Sequence, residues 1–273
     1  MRLVTFRHSG DSGVGRLDGD VVSVLEAPDM ISWLSGFGRD ETGGQISAAE
    51  VELLAPVPRP PSVRDFFAFE GHVAAGWRRR GGEVPSAWYD APAFYFSNPA
   101  SIRGPGEKVT RPPATQMLDF ELEIAAVVGV DGEIAGFTLM NDWSARDIQA
   151  SEMTVGLGPA KGKDFATSLG PWLATTDELP MVAGRLALEA TVTVNGEELS
   201  RSSASDQHWS WAELVEHAGR GTVLEPGDVL GSGTLNGGCL LELGPLAGDR
   251  WLEPGDRVAL AADGLGELAS EIA

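Results

Sequence analysis

Residues 119–129 read DFELEIAAVVG, and their alternation decides the fold. In an extended strand, successive side chains point to opposite faces. Asp119, Glu121 and Glu123 therefore share one face, and Phe120, Leu122 and Ile124 share the other. Beyond Ile124 the alternation ends. Ala125, Ala126, Val127 and Val128 are all apolar, as expected of a strand running into the interior. Carboxylates at i, i+2 and i+4 lie about 6–7 Å apart in Cα. Near an interior their repulsion is poorly screened. Solvent, basic partners or a cation must compensate it, and carboxylate oxygen suits Mg²⁺, Ca²⁺ or Mn²⁺. A solvated strand face and a cation-binding face both remain open on this segment alone.

Working outward, strands dominate. LVTF (3–6) and VVSVL (21–25) read as strands, with the Gly/Asp-rich DSGVGRLDGD between them. A short helix is expected over Ile31–Leu34. PVPRPP (56–61) places four prolines in six positions and stops any regular element, which sets a boundary near residue 60. In TVTVNGEEL (191–199), Asn195-Gly196 marks a hairpin, because a type I′ turn needs positive φ at both central residues. LEPGD occurs at 224–228 and again at 252–256, each time opening a strand. Helices are expected after Glu70, from near Ser144, and over WSWAELVEHAG (209–219). Strand and helix do not alternate regularly, which argues against a doubly wound sheet. The reading is a mainly β, α+β protein of mixed topology.

The chain has 273 residues, 42 % of them hydrophobic, enough for a real core. Its 20 Lys and Arg stand against 40 Asp and Glu, a net charge of −20. Such a surface repels phosphate backbones and anionic membranes, so nucleic acid and membrane are poor partners. An acidic substrate would need a local positive island. The single cysteine, Cys239, excludes an intrachain disulfide. No apolar run approaches the ~20 residues that span a bilayer. The opening MRLVTFRHSG lacks the apolar core of a signal peptide, and a cytoplasmic location is expected.

Two further segments bear on chemistry. GFTLMNDWSARDIQ (136–149) reads as strand, turn and helix, with Asp142 at the strand end. Ser144 is expected to cap the helix with Asp147 three residues on. Arg146 and Gln149, three apart, share a helix face. LGPAKGKDF (157–165) contains GxxxGK, but the spacing is one residue short of a phosphate loop and Asp164 follows Lys163, so that reading is rejected. Lys163 remains as a cation in a Gly-rich loop, able to meet an anionic intermediate or simply solvated.

Together these segments resemble the fumarylacetoacetate hydrolase superfamily, from about Asp65 to near the C-terminus. DFELE looks like the family's metal strand, which implies ligand roles for Glu121 and Glu123. NDWSARDIQ implies Asp142 as a third ligand and Arg146 and Gln149 as donors to substrate oxygen. LGPAKGKDF is similar to the family's lysine loop, ending at Lys163. GSGTLNGG (231–238) looks like its substrate-contacting turn, with Thr234 as the contact. The implied fold is a mixed β-roll over 61–273 with a small N-terminal α/β domain over 1–60, assembled as a homodimer.

The superfamily includes hydrolases, decarboxylases, isomerases, hydratases and lyases of keto acids, and fold alone does not choose among them. RDFFAFEGH (64–72) resembles the C–C hydrolase branch, implying Asp65 as a fourth metal-associated carboxylate and His72 as the base that activates water. GCLLELG (238–244) implies Glu242 as the partner orienting His72. Tyr95 falls near a substrate-contacting position, and Phe67 stands where the tyrosine-pathway hydrolase carries tyrosine. The expected function is metal-dependent hydrolysis of a C–C bond in a small β-diketo acid, with Mg²⁺ or Ca²⁺, or Mn²⁺, as cofactor. A metal-dependent decarboxylase, isomerase or hydratase of 2-oxo acids is the alternative, and an inactive binding paralogue is a second. His8, His208 and His217 lack a supporting motif and are read as structural. Cys239 is read as a small buried residue, not a nucleophile.

Overall fold

The computed structural model describes the backbone of residues 1–273 and the side chains of all residues except 39–42. Its frame is a 12-stranded mixed sheet. Its main path runs Arg39–Ser47, Val21–Glu26, Asp11–Asp18, Arg2–His8, Thr167–Thr175, Ile134–Asp142, Leu122–Val128, Val229–Gly231, Val63–Phe66 and Phe94–Ser97. Most neighbours are antiparallel, but Val63–Phe66 lies parallel to Val229–Gly231. A four-stranded sheet, Glu197–Ser203, Glu189–Val194, Arg257–Ala262 and Gly266–Glu271, packs against it.

The strand Leu122–Val128 is buried along its whole length. Ile124, Ala126 and Val128 join the core shared with Phe137, Val192, Leu214 and Leu260. Ala125 and Val127 enter a second core with Leu3, Met140, Leu173 and Val229. This explains the apolar run after Ile124: both faces of the strand are covered, so neither is left for polar side chains. The first core is the layer between the two sheets. The second joins the N-terminal strands to the rest, and Arg2–His8 pairs directly with Thr167–Thr175 across the proline-rich stretch 56–61.

The turn chemistry is as expected. Asn195 and Gly196 both have positive φ, 53° and 85°, between Glu189–Val194 and Glu197–Ser203. Each LEPGD turn closes with its aspartate accepting from the glutamate N–H at its start, Asp228 from Glu225 and Asp256 from Glu253. The helix Trp211–Gly219 opens with a capping box, Ser210 with Glu213, and buries Trp211, Leu214 and Ala218.

Two local expectations are corrected. DSGVGRLDGD is not merely a connection, because Asp11–Asp18 within it is a full strand. Its glycines hid the pattern. A Cβ on Gly15 would sit 2.5 Å from Val22 Cγ1, so glycine there admits close strand approach. Ser144 does not cap the helix Arg146–Met153. It lies in the short strand Ser144–Ala145, and its hydroxyl donates to the Asp142 carbonyl. Asp147 instead accepts from the Thr115 hydroxyl and the Gln116 N–H.

Candidate metal centre and active site

Four buried carboxylates converge where strand ends meet. Asp65 comes from Val63–Phe66, Glu123 from Leu122–Val128, and Asp142 from the end of Ile134–Asp142. Glu121 lies just before Leu122–Val128, and its N–H donates to Asn141 Oδ1 at 2.9 Å. One oxygen from each of Asp65, Glu121, Glu123 and Asp142 lies within 4.8 Å of the others. Gly231, in register with Asp65, makes the convergence sterically feasible. A Cβ there would fall 2.5 Å from Asp65 Oδ1 and 3.1 Å from Glu123 Oε2.

Asp119 leaves this group. The extended segment breaks at Phe120–Glu121, and Leu118–Asp119 pairs with Ser144–Ala145 instead. The Asp119 carboxylate accepts from Arg146 Nε at 2.8 Å and from the Leu240 and Leu241 N–H groups. It thus aims the Arg146 guanidinium at Glu121, whose Oε1 lies 2.7 Å from Nη1. Gln149 Oε1 also accepts from Nη1, at 3.2 Å. Lys163 is buried, not solvated, and its ammonium bridges Glu121 Oε2 at 2.5 Å and Asp142 Oδ2 at 2.6 Å. The Tyr95 hydroxyl donates to Asp142 Oδ2 at 2.6 Å.

These contacts divide the carboxylates electrostatically. Burial opposes ionisation of Glu121, but Lys163, Arg146 and His72 override it and hold the carboxyl well below the usual range. Burial first, then Asp142, pushes Asp65 well above that range. Burial, Asp65 and Glu121 do the same to Glu123. Asp142 is raised by burial despite Lys163. Two oxygens, Asp65 Oδ1 and Asp142 Oδ1, are buried without a hydrogen-bond partner. Orphaned oxygens among mutually raised carboxylates are what a hard dication satisfies. The donor set is all oxygen, which fits Mg²⁺, Ca²⁺ or Mn²⁺ better than a thiophilic metal.

His72 lies on the helix Glu70–Arg79 at the edge of the cluster. Its Nδ1 is 2.7 Å from Glu242 Oε1, and its Nε2 is 4.0 Å from Glu121 Oε1. Burial opposes ionisation of Glu242, yet the His72 bond, with the Gly237 N–H, keeps its carboxyl below the ordinary range. Glu242 is therefore an anionic partner for His72 Nδ1 and holds the imidazole ring in place. The edge of the Phe67 ring packs against the imidazole, with centroids 5.3 Å apart. Thr234 Oγ1 lies 3.5 Å from Glu123 Oε1. Cys239 is buried beside the pair, 3.5 Å from Glu242 Oε1, and burial raises its thiol well above the usual value, unlike an activated nucleophile.

A cavity of about 320 Å³ opens over these groups. Asp65, Phe67, His72, Tyr95, Glu121, Glu123, Arg146, Gln149, Lys163 and Thr234 line it. Asp142 and Glu242 stand behind the wall, bonded to Tyr95 and His72. Sequence reading missed Asn141 and Gly231, and placed Asp119 on one face with Glu121 and Glu123. It also missed Trp77, Arg80, Met153 and Leu241, which line the same cavity.

The mixed sheet delivers a buried four-carboxylate cluster with the donor atoms to hold a divalent cation, beside a His–Glu pair. The chain belongs to the fumarylacetoacetate (FAA) hydrolase C-terminal family, whose model matches residues 62–273. Residues 1–56 match an Rv2993c-like N-terminal model. Among relatives, the fumarylacetoacetase of Arabidopsis thaliana is 33 % identical over 257 residues, covering 71 % of this chain and 61 % of that protein. This chain thus spans less than two thirds of that relative's length. The oxaloacetate tautomerase YisK of Bacillus subtilis is 29 % identical over 91 % of this chain and 82 % of its own. The crystal structure of 5-carboxymethyl-2-hydroxymuconate delta-isomerase from Mycobacterium smegmatis superposes with a TM-score of 0.75 at 26 % identity, covering 100 % of this chain and 99 % of that one. Among the described residues, no helix is long and apolar enough to cross a membrane.

Proposed function

We propose that this protein hydrolyses the carbon–carbon bond of a small β-diketo acid of the acylpyruvate type, with Asp65, Glu121, Glu123 and Asp142 holding one divalent cation. The observation that carries this reading is the His72–Glu242 pair at 2.7 Å, with Nε2 facing the carboxylate cluster. When bound, the cation supplies Lewis-acid polarisation of the substrate carbonyl and offsets the charge of the enolate leaving group.

The chain's own groups do the rest. His72 Nε2 takes a proton from water, and Glu242 holds the tautomer and stabilises the imidazolium. The hydroxide adds to the distal carbonyl. The developing oxyanion is met by Arg146, Gln149 and Lys163. Arg146 Nη2 is buried without a partner, so a donor is already in place. The bond to the methylene carbon breaks, its electron pair leaves as the pyruvate enolate, and the imidazolium returns the proton to that carbon. Water and acylpyruvate thus yield a carboxylic acid and pyruvate. Tyr95, Phe67 and Thr234 shape the substrate's side of the cavity. The same reading takes the chain to act as a homodimer.

A second reading is enolate chemistry without water attack, a tautomerase or isomerase of 2-oxo acids. It is favoured by the greater share of the oxaloacetate tautomerase that this chain covers, and a His–Glu pair can also shuttle a proton between carbon and oxygen. Turnover of acylpyruvates in ¹⁸O-water separates them. Hydrolysis places one ¹⁸O in the released acid and is lost, by about 10²–10⁴-fold, in His72→Gln. Altered substrate with no acid released supports the tautomerase instead. Full activity in metal-stripped protein overturns both, and no turnover with Mg²⁺ or Ca²⁺ leaves a binding protein.

A further inference from the structure

Cys239, the chain's single cysteine, touches the His72–Glu242 pair, yet the hydrolytic chemistry does not use it. Its Sγ lies 3.5 Å from Glu242 Oε1 and 3.9 Å from His72 Nδ1, and those two atoms are 2.7 Å apart. Among the described residues, two groups bring three or more metal-ligating side chains within 4.8 Å of one another, the four carboxylates and this trio. Cys239 and Glu242 belong to one short segment, Cys239 just before the helix Leu240–Leu243 and Glu242 within it. His72 comes from the helix Glu70–Arg79, which packs against that segment. Leu243, next in the chain to Glu242, is exposed, so the trio lies just beneath the surface.

The spacing suits a tetrahedral cation. A point equidistant from the three atoms lies about 2.0 Å from each, and zinc takes imidazole nitrogen and carboxylate oxygen at about 2.0–2.2 Å and thiolate sulfur at about 2.3 Å. Tetrahedral angles then call for about 3.6 Å between sulfur and either neighbour and about 3.3 Å between nitrogen and oxygen. Both sulfur edges are within about 0.3 Å of that length, and the His72–Glu242 edge has to open by about 0.6 Å. The charges suit it too. One thiolate and one carboxylate cancel a dication, and the imidazole is neutral, so the complex carries no net charge into a buried place. The donors are sulfur, nitrogen and a single oxygen, unlike the all-oxygen centre beside them. A hard ion therefore selects the carboxylates and a thiophilic ion selects the trio.

We propose that Cys239 Sγ, His72 Nδ1 and Glu242 Oε1 form a second cation site, for a thiophilic divalent ion such as Zn²⁺ or Cd²⁺, and that its occupancy arrests the enzyme. On binding, the Cys239 thiol releases its proton to solvent, as a coordinating thiol does. The imidazole keeps one proton, and with Nδ1 on the ion that proton sits on Nε2. Nε2 is the atom that faces the carboxylate cluster, 4.0 Å from Glu121 Oε1. An Nε2–H cannot take a proton from water, so the base is withdrawn while the carboxylate centre stays intact. The site stands on the three groups alone. The arrest rests on the reading of His72 as the base.

The test titrates Cd²⁺ into the Mg²⁺-saturated protein and follows ultraviolet absorption beside acylpyruvate turnover. A thiolate-to-cadmium charge-transfer band is expected, saturating at one ion per chain and rising in step with the loss of turnover. Cys239→Ser, or Cys239→Ala where serine impairs folding, abolishes the band. Measured against its own rate with Mg²⁺ alone, the same variant needs at least about tenfold more Cd²⁺ for half-inhibition. Glu242→Gln and His72→Gln keep the thiol and weaken Cd²⁺ binding by about 10–100-fold, the range over which loss of a partner around a metal lowers affinity. The site is overturned by the absence of a band in wild type, by a band whose affinity is unchanged in both of those variants, or by a band that excess Mg²⁺ removes. Full turnover beneath a saturated band refutes His72 as the base and keeps the site. Hydrolysis with no band, or with equal Cd²⁺ sensitivity in wild type and Cys239→Ser, refutes the second site and keeps the base.

Discussion

Lys163→Met isolates the electrostatics of the centre. The Lys163 ammonium is 4 % exposed and bridges Glu121 at 2.5 Å and Asp142 at 2.6 Å, whose side chains are 5 % and 0 % exposed. Methionine keeps most of the volume and deletes the charge. Removing one partner of a buried ion pair costs about 3–5 kcal/mol, because the remaining charge stays desolvated. For a chain of this size that lowers Tm by roughly 6–15 °C. The lower end is expected in mildly acidic buffer, where a carboxylate can take up the missing proton. The variant's cluster is also one unit more negative, so it should bind a divalent cation more tightly than wild type. The assay is a thermal melt in chelator and across a Mg²⁺ or Mn²⁺ titration, beside a turnover measurement. The expected pattern is a lower Tm in chelator, a larger rise with cation than in wild type, and loss of turnover because an oxyanion donor is gone. A melt in chelator within 2 °C of wild type, or a smaller response to cation, would refute the reasoning.

Other outcomes follow from the same charges. Glu123→Gln replaces a buried carboxyl that burial and neighbouring charges hold above its ordinary range. In chelator the variant should be more stable than wild type, by about 0.5–2 kcal/mol at neutral pH, while no longer gaining Tm from cation. Asp65 and Glu123 both have folded-state values above their unfolded ones. Their protonated forms stabilise the fold below the unfolded carboxylate range, and that stability is lost as pH rises through the raised values. Melts in chelator should therefore show this component declining upward from about pH 4, with saturating Mg²⁺ flattening the decline. A cation-independent pH profile would count against a shared site. Glu242 shifts the other way, so its contribution disappears as pH falls below the unfolded carboxylate range and should vanish in Glu242→Gln.

Much of the architecture is readable from local pattern. The DFELE alternation correctly separates Glu121 and Glu123 from Phe120, Leu122 and Ile124, and the following apolar run correctly signals a strand covered on both faces. Asn195-Gly196 and the two LEPGD turns specify their own geometry within a few residues. What was missed depends on contacts distant in sequence. Alternation alone puts Asp119 with the other acids, but pairing with Ser144–Ala145 turns it towards Arg146 instead. Ser144 has the composition of a cap, yet strand pairing claims it. Gly231 gains its meaning only from the parallel register with Asp65. Only the fold brings Trp77 and Arg80 onto the cavity wall. Roles carried in by resemblance, such as the pairing of His72 with Glu242, are legible in the motifs but not in composition or periodicity.

The most direct test is a crystal grown with Mn²⁺ and measured at a wavelength where manganese scatters anomalously. The account predicts one strong peak bounded by carboxylate oxygens of Asp65, Glu121, Glu123 and Asp142, absent in Glu123→Gln crystals grown identically. A map with no peak there, with Asp65 and Asp142 instead swung out to water, would contradict it.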